Sequence, residues 1–80
     1  MSLRVVIAED EGIIAMMLAD MLEEMGHEVL ATVADGPAAV AAAGRLQPDV
    51  VLMDLRLAKG TSGIEAARAI RERHDIGCLI

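Results

Sequence analysis

Eighty residues bound the chain to one small domain, and a core of that size is marginal without staples. A net charge of −6 and the absence of Phe, Tyr and Trp leave neither a basic face nor stacking platforms, which excludes nucleic acid as a partner of this segment. Cys78 is the only cysteine, so no disulfide closes within the chain, and a lone thiol fits a reducing cytoplasm.

The first predicted element is "RVVIA", Arg4–Ala8, a β-branched run that ends in acids and reads as a buried strand. From Glu11 to Met25 the pattern turns helical. Ile14, Leu18, Met21, Leu22 and Met25 recur on one face, with Asp20, Glu23 and Glu24 opposite. Met16, Met17, Met21 and Met25 are expected largely as core filler. Glu11 is expected in the first turn, where an acid suits the helix dipole. Gly26 stops the helix, and His27 after it is expected as a solvated turn residue.

"HEVLATV", His27–Val33, is the second strand. "DGP", Asp35–Pro37, starts a helix: Asp35 caps it and Pro37 fits its first turn. This Ala-rich helix runs to about Leu46 and is broken at Pro48. Asp49–Met53 is a third strand, apolar on both faces, as a central parallel strand should be.

A loop follows, from Leu55 to about Thr61. Ser62–Glu65, "SGIE", matches a capping box that opens a helix ending at His74. Arg68, Arg71 and Arg73 are expected on its solvated face, pairing with Glu65 and Glu72. Ile76–Ile80 begins a fourth strand, with Cys78 expected buried in it. No secretory leader is visible and no apolar run approaches the ~18 residues of a membrane span, so a cytoplasmic chain without membrane contact is expected.

The order βαβαβαβ argues a parallel sheet with helices on both faces. In such sheets the functional crevice lies at the carboxyl ends of the strands. Asp54 stands there after the third strand, and Glu9, Asp10 and Glu11 after the first. If those strands are neighbours, Glu9, Asp10 and Asp54 converge. Like charges so placed raise each other's pKa or call for a cation. Carboxylates without Cys or His nearby favour Mg²⁺. "AEDEGI" also lacks the Gly-rich turn of a dinucleotide fold, and its acids repel phosphate unless a metal intervenes.

"VVIAEDE" (Val5–Glu11), "PDVVLMDLRL" (Pro48–Leu57) and "SGIEAARAIR" (Ser62–Arg71), in this order and spacing, resemble the receiver domain of bacterial two-component response regulators. The resemblance implies the CheY-like, flavodoxin-like doubly wound α/β fold, with strand order 2-1-3-4-5 when complete. Asp54 matches the aspartate that takes a phosphoryl group from a phosphohistidine of a sensor histidine kinase or histidine phosphotransfer protein. Glu9 and Asp10 match the Mg²⁺-binding acid pair, with Asp10 the favoured direct ligand. Arg56 matches the position whose backbone carbonyl coordinates the metal. The implied protein is a signalling phosphoacceptor rather than a turnover enzyme, with self-catalysed phosphotransfer and dephosphorylation only.

The sequence departs from that pattern in its loop and in its length. Ala58 stands where the family commonly has proline, and the loop from Asp54 to Gly63 is one residue longer than usual. A receiver has about 120 residues, so residues 1–80 are expected to be its N-terminal two-thirds. The hydroxyl residue, lysine and switch aromatic that the family carries then lie past Ile80. An exposed apolar edge at Ile76–Ile80 raises the expectation of a homodimer. Two other functions stay open at this point. One is a pseudo-receiver that keeps the fold as an interaction module and is never phosphorylated. The other, a phosphatase of haloacid-dehalogenase type, is disfavoured because Arg56 stands where its second acid belongs.

Overall fold

The computed structural model describes residues 2–80. Strands β1 (Arg4–Ala8), β2 (Glu28–Val33), β3 (Val50–Met53) and β4 (Gly77–Leu79) alternate with helices α1 (Gly12–Glu24), α2 (Gly36–Leu46) and α3 (Gly63–His74). All pairings are parallel, and the sheet order is β2-β1-β3-β4. This is the α/β receiver architecture the sequence implies, over its first four strands. Parallel strand–helix–strand units cross over in the right-handed sense almost without exception. The order first steps left and then right, so α1 lies on one face of the sheet and α2 and α3 on the other.

The larger core forms on the α2–α3 face. Val6 and Ala8 of β1 and Val51 and Met53 of β3 point to it with the two-residue period of a strand. They meet Ala39, Ala42 and Ala43 of α2 and Ala66 and Ile70 of α3. The small residues of α2 let its backbone lie close to the sheet. Ile70 is wholly excluded from solvent, a burial that contributes about 1.5–3 kcal/mol. Asp35 caps α2 through Ala38 N at 2.8 Å, and Pro37 occupies the first turn, as expected. At the other end Gln47 adopts a left-handed conformation (φ 49°), and the Arg4 guanidinium donates to the carbonyls of Leu46 and Gln47. These bonds satisfy two of the orphan acceptors that every helix end leaves.

The opposite face is half covered, and this overturns the core assignment of the α1 methionines. The buried or half-buried stripe of α1 is Ala15, Leu18, Ala19 and Leu22, which packs on β1 and β2. Met16, Met17, Met21 and Met25 are 53–63% exposed, and Ile14 is exposed too. The reason is positional. Met16, Met17, Met21 and Met25 lie outside that stripe on α1, and among the described residues no other helix packs on this face of the sheet. Leu52 of β3 is therefore only half-buried and Leu79 of β4 is exposed.

Smaller expectations are also corrected. Glu11 is the residue before α1 rather than in its first turn, and its side chain makes no cap bond. Ser62 does cap α3, accepting from Glu65 N at 3.2 Å, but Glu65 makes no return bond. Arg71 pairs with Asp75, one turn on, at 3.1 Å, and Arg68 and Arg73 form no bridge to Glu65 or Glu72. Cys78 is half-buried, and burial pushes its thiol up against the opposing influence of Arg71.

His27 is half-buried rather than solvated. Its Nδ1 accepts the Leu3 amide at 3.0 Å and ties the start of β1 to the turn before β2. His27→Ala leaves that amide without its acceptor. A loss of about 1 kcal/mol is expected, to be read as a lower urea midpoint by far-ultraviolet circular dichroism.

Candidate functional site

Because β1 and β3 are adjacent, with Ala8 opposite Met53, the residues that follow them emerge side by side. The ladder runs one residue further on each. Glu9 N donates to Val33 O at 2.9 Å, and Asp54 N donates to Ala8 O at 3.0 Å. The backbones of Glu9 and Asp54 are thus held by the sheet rather than by loops.

Glu9, Asp10 and Asp54 each present a carboxylate oxygen, and these oxygens all lie within 4.8 Å of one another. Glu9 is half-buried and the other two are exposed. Glu9 Oε2 accepts from Glu11 N at 3.1 Å, and Asp54 Oδ1 from Leu55 N at 2.8 Å. The Glu11 amide is the largest single influence on the Glu9 carboxyl and pulls its pKa down. Partial burial, the Asp54 charge and the Asp10 neighbour push the other way, and together they raise it above the ordinary glutamate value. Three acids in this crowding are a set of hard oxygen donors, which suits Mg²⁺. Glu11 is outside the cluster.

Arg56 lies in the loop just past Asp54. An antiparallel bridge to Ser62 orders its backbone, and its side chain is exposed. Between the acids and the open half of the sheet is a cavity of about 230 Å³ that Glu9 and Asp54 share with Ile7, Leu18, Leu52 and Leu79. A larger cleft of about 820 Å³ separates α2 from α3 where Ala41, Gly44 and Ala69 leave room, and none of the three acids reaches it.

Two further residues shape the site that sequence pattern did not single out. A Cβ on Gly63 would stand 1.8 Å from the carbonyl oxygen of Asp54, so the first residue of α3 presses on the Asp54 backbone. Thr61 bonds across to α2 through its hydroxyl. A glycine at the first helical position, where alanine is the better helix former, hints at the first. Nothing local hints at the second.

Comparison with known proteins agrees with this geometry. The family model of the response regulator receiver domain matches residues 5–80. The transcriptional regulatory protein PdtaR of Mycobacterium tuberculosis is 44% identical over 70 residues, covering 88% of this chain and 34% of PdtaR. The crystal structure of the response regulator PhyR from Brucella abortus superposes with a TM-score of 0.92 at 37% identity, over 99% of this chain and 32% of that one. The solution structure of the receiver domain of Erythrobacter litoralis PhyR gives 0.89 at 37% identity, over 98% of this chain and 60% of that domain. The chain thus spans about a third of the curated relative. Among the described residues no helix is long and apolar enough to cross a membrane. A family match over almost the whole chain, carried by the same parallel sheet, means that this chain belongs to the response regulator receiver domain family.

Proposed function

We propose that this chain is a phosphoacceptor of a two-component phosphorelay, with Asp54 the residue that takes the phosphoryl group. The observation that carries the reading is the acid cluster: Asp54 stands at a strand end beside Glu9 and Asp10, exposed and within 4.8 Å of both. An Asp54 carboxylate oxygen forms a bond to phosphorus as the bond to the donor imidazole breaks, and the imidazole leaves with its electron pair and takes up a proton. The product is an acyl phosphate. Phosphoryl transfer depends chiefly on positioning and charge neutralisation.

Glu9, Asp10 and Asp54, with the Arg56 backbone carbonyl, would hold Mg²⁺. When bound, the ion neutralises charge on the transferred oxygens. The chain's own residues do the remainder. The sheet fixes Asp54 and Glu9 through their backbone amides, and Leu55 N orients one Asp54 oxygen. The donor is a phosphohistidine of a sensor histidine kinase or histidine phosphotransfer protein, consistent with the family.

The test is to incubate the chain with a small phosphoramidate donor, with and without Mg²⁺, and read the intact mass. The expected result is one phosphoryl adduct that forms with Mg²⁺, is suppressed by chelator and maps to the peptide containing Asp54. No adduct under any condition favours the pseudo-receiver, an interaction module of the same fold.

A further inference from the structure

We propose that Thr61 is a positioning residue for the acid cluster, latching the segment after Asp54 to the first turn of α2. For the role of the Arg56 carbonyl, the inference rests on the receiver reading above.

The segment from Leu55 to Ser62 folds back on itself. Gly63 N donates to Leu55 O at 2.8 Å, Leu57 N donates to Thr61 O at 3.1 Å, and Arg56 bridges Ser62. Lys59 (φ 61°) and Gly60 (φ 68°) make the reversal in the left-handed region. Leu57 alone drops into the core, 5% exposed. Such a small hairpin, outside the sheet, needs an anchor to hold the Arg56 carbonyl in one place.

Thr61 supplies it. Its Oγ1 accepts from Gly36 N at 2.8 Å and donates to Ala58 O at 2.8 Å, while Ala58 N donates to Ala34 O at 2.8 Å. Gly36 opens α2, and its amide is one of the orphan donors of a helix start. The Asp35 cap serves Ala38, so the Gly36 amide depends on Thr61. The fit is close: a Cβ on Gly36 would meet Thr61 Cβ at 3.3 Å. The Lys59–Asp35 ion pair spans the same gap at 3.7 Å, but Lys59 is 81% exposed and such pairs contribute little.

Linkage makes the effect reciprocal. If the latch favours the metal-competent loop, then metal favours the latch. Mg²⁺ affinity is therefore expected to fall about fivefold to tenfold in Thr61→Val, which keeps the shape but loses the hydroxyl, and to stay within about twofold of the parent in Thr61→Ser.

The experiment is isothermal titration of Mg²⁺ into the three proteins, with amide hydrogen exchange at Gly36 measured by NMR in the parent with and without Mg²⁺. Slower exchange at Gly36 with Mg²⁺, and weakened binding in Thr61→Val rescued by Thr61→Ser, support the proposal. A Thr61→Val protein that melts lower but binds Mg²⁺ equally well makes Thr61 structural only and overturns it. So does a parent that binds no Mg²⁺. Should Thr61→Val not fold, exchange in the parent decides: Mg²⁺ dependence at Gly36 supports the latch, and independence overturns it. A parent that binds Mg²⁺ with slowed Gly36 exchange but takes no phosphoryl group overturns the phosphoacceptor reading and leaves the latch standing.

Discussion

Asp54→Asn is expected to abolish the phosphoryl adduct and, in the metal-free protein, to raise the melting temperature. The first effect is chemical: a neutral carboxamide is a poor nucleophile for phosphorus and cannot form the acyl phosphate. The second follows from crowding. Asp54 is one of the influences that raise the Glu9 pKa, so its charge costs the folded state. Asn keeps an oxygen able to accept the Leu55 amide. Removing one like charge at an exposed site is worth roughly 0.2–1 kcal/mol, or a few degrees in a domain this small.

The pH dependence has a definite sign. Below the ordinary glutamate range, near ~4.3, Glu9 is protonated in both folded and unfolded chains and the repulsion is absent. As pH rises from there through the raised folded value, the unfolded chain loses its proton first. The folded state then binds more protons than the unfolded one, and stability falls across that window. The parent should lose more stability between about pH 4 and neutrality than Asp54→Asn does. Melts followed by far-ultraviolet circular dichroism over that range, in chelator, measure it. Equal pH profiles for the two proteins would mean that the carboxylates do not repel as the geometry requires. Near-ultraviolet absorbance and intrinsic fluorescence do not report on this chain, which has no Phe, Tyr or Trp.

Gly63→Ala is expected to cost about 2–3 kcal/mol, the upper range for an extra methyl group in packed surroundings. The clash is with main chain rather than with a flexible side chain. The added Cβ would lie 1.8 Å from the Asp54 carbonyl oxygen, 2.8 Å from its carbonyl carbon and 3.1 Å from Met53 Cγ. Either α3 withdraws from the sheet or Asp54 moves. Withdrawal loosens Ala66 and Ile70 from the core. Movement shifts the proposed nucleophile against Glu9 and Asp10, and a misplacement near 1 Å can lower a reaction rate about a hundredfold. A urea midpoint by circular dichroism reports the first route and the initial rate of adduct formation the second. A variant with parental stability and parental rate would show that the close approach is not there. Gly44 makes the contrast. The nearest atoms to a Cβ there belong to the ring of His74, at 2.8 Å, and a side chain of intermediate exposure can swing aside.

The chain order of elements was legible because each has a local cause. Val5 to Ala8 and Val50 to Met53 are apolar runs closed by acids, Asp35 and Ser62 are caps, and Gly26 is a stop in the left-handed region (φ 91°). The acid site was legible for a related reason: in a parallel sheet the strand ends share an edge, so acids at two strand ends meet once the strands are neighbours. Helical periodicity failed for α1. It shows which residues share a face, but not how wide a strip the sheet will cover. Met17 and Met21 are apolar like Leu18, yet Leu18 belongs to the stripe that packs on β1 and β2 and they do not.

What the sequence determined by itself was therefore the α/β class, the βαβαβαβ order and the placing of Glu9, Asp10 and Asp54 at strand ends, while the pairing of β1 with β3 brought those acids together. The first three depend on propensities and periods that act within a few residues. The tertiary structure alone decided the exposure of the α1 methionines, the His27–Leu3 bond, the close approach of Gly63 to Asp54 and the Thr61 latch on Gly36. Those contacts join segments well separated in the chain, such as Gly36 and Thr61, 25 residues apart. No short-range preference encodes a distance between two elements. It is fixed only when the helices settle on the sheet and their side chains compete for the same space.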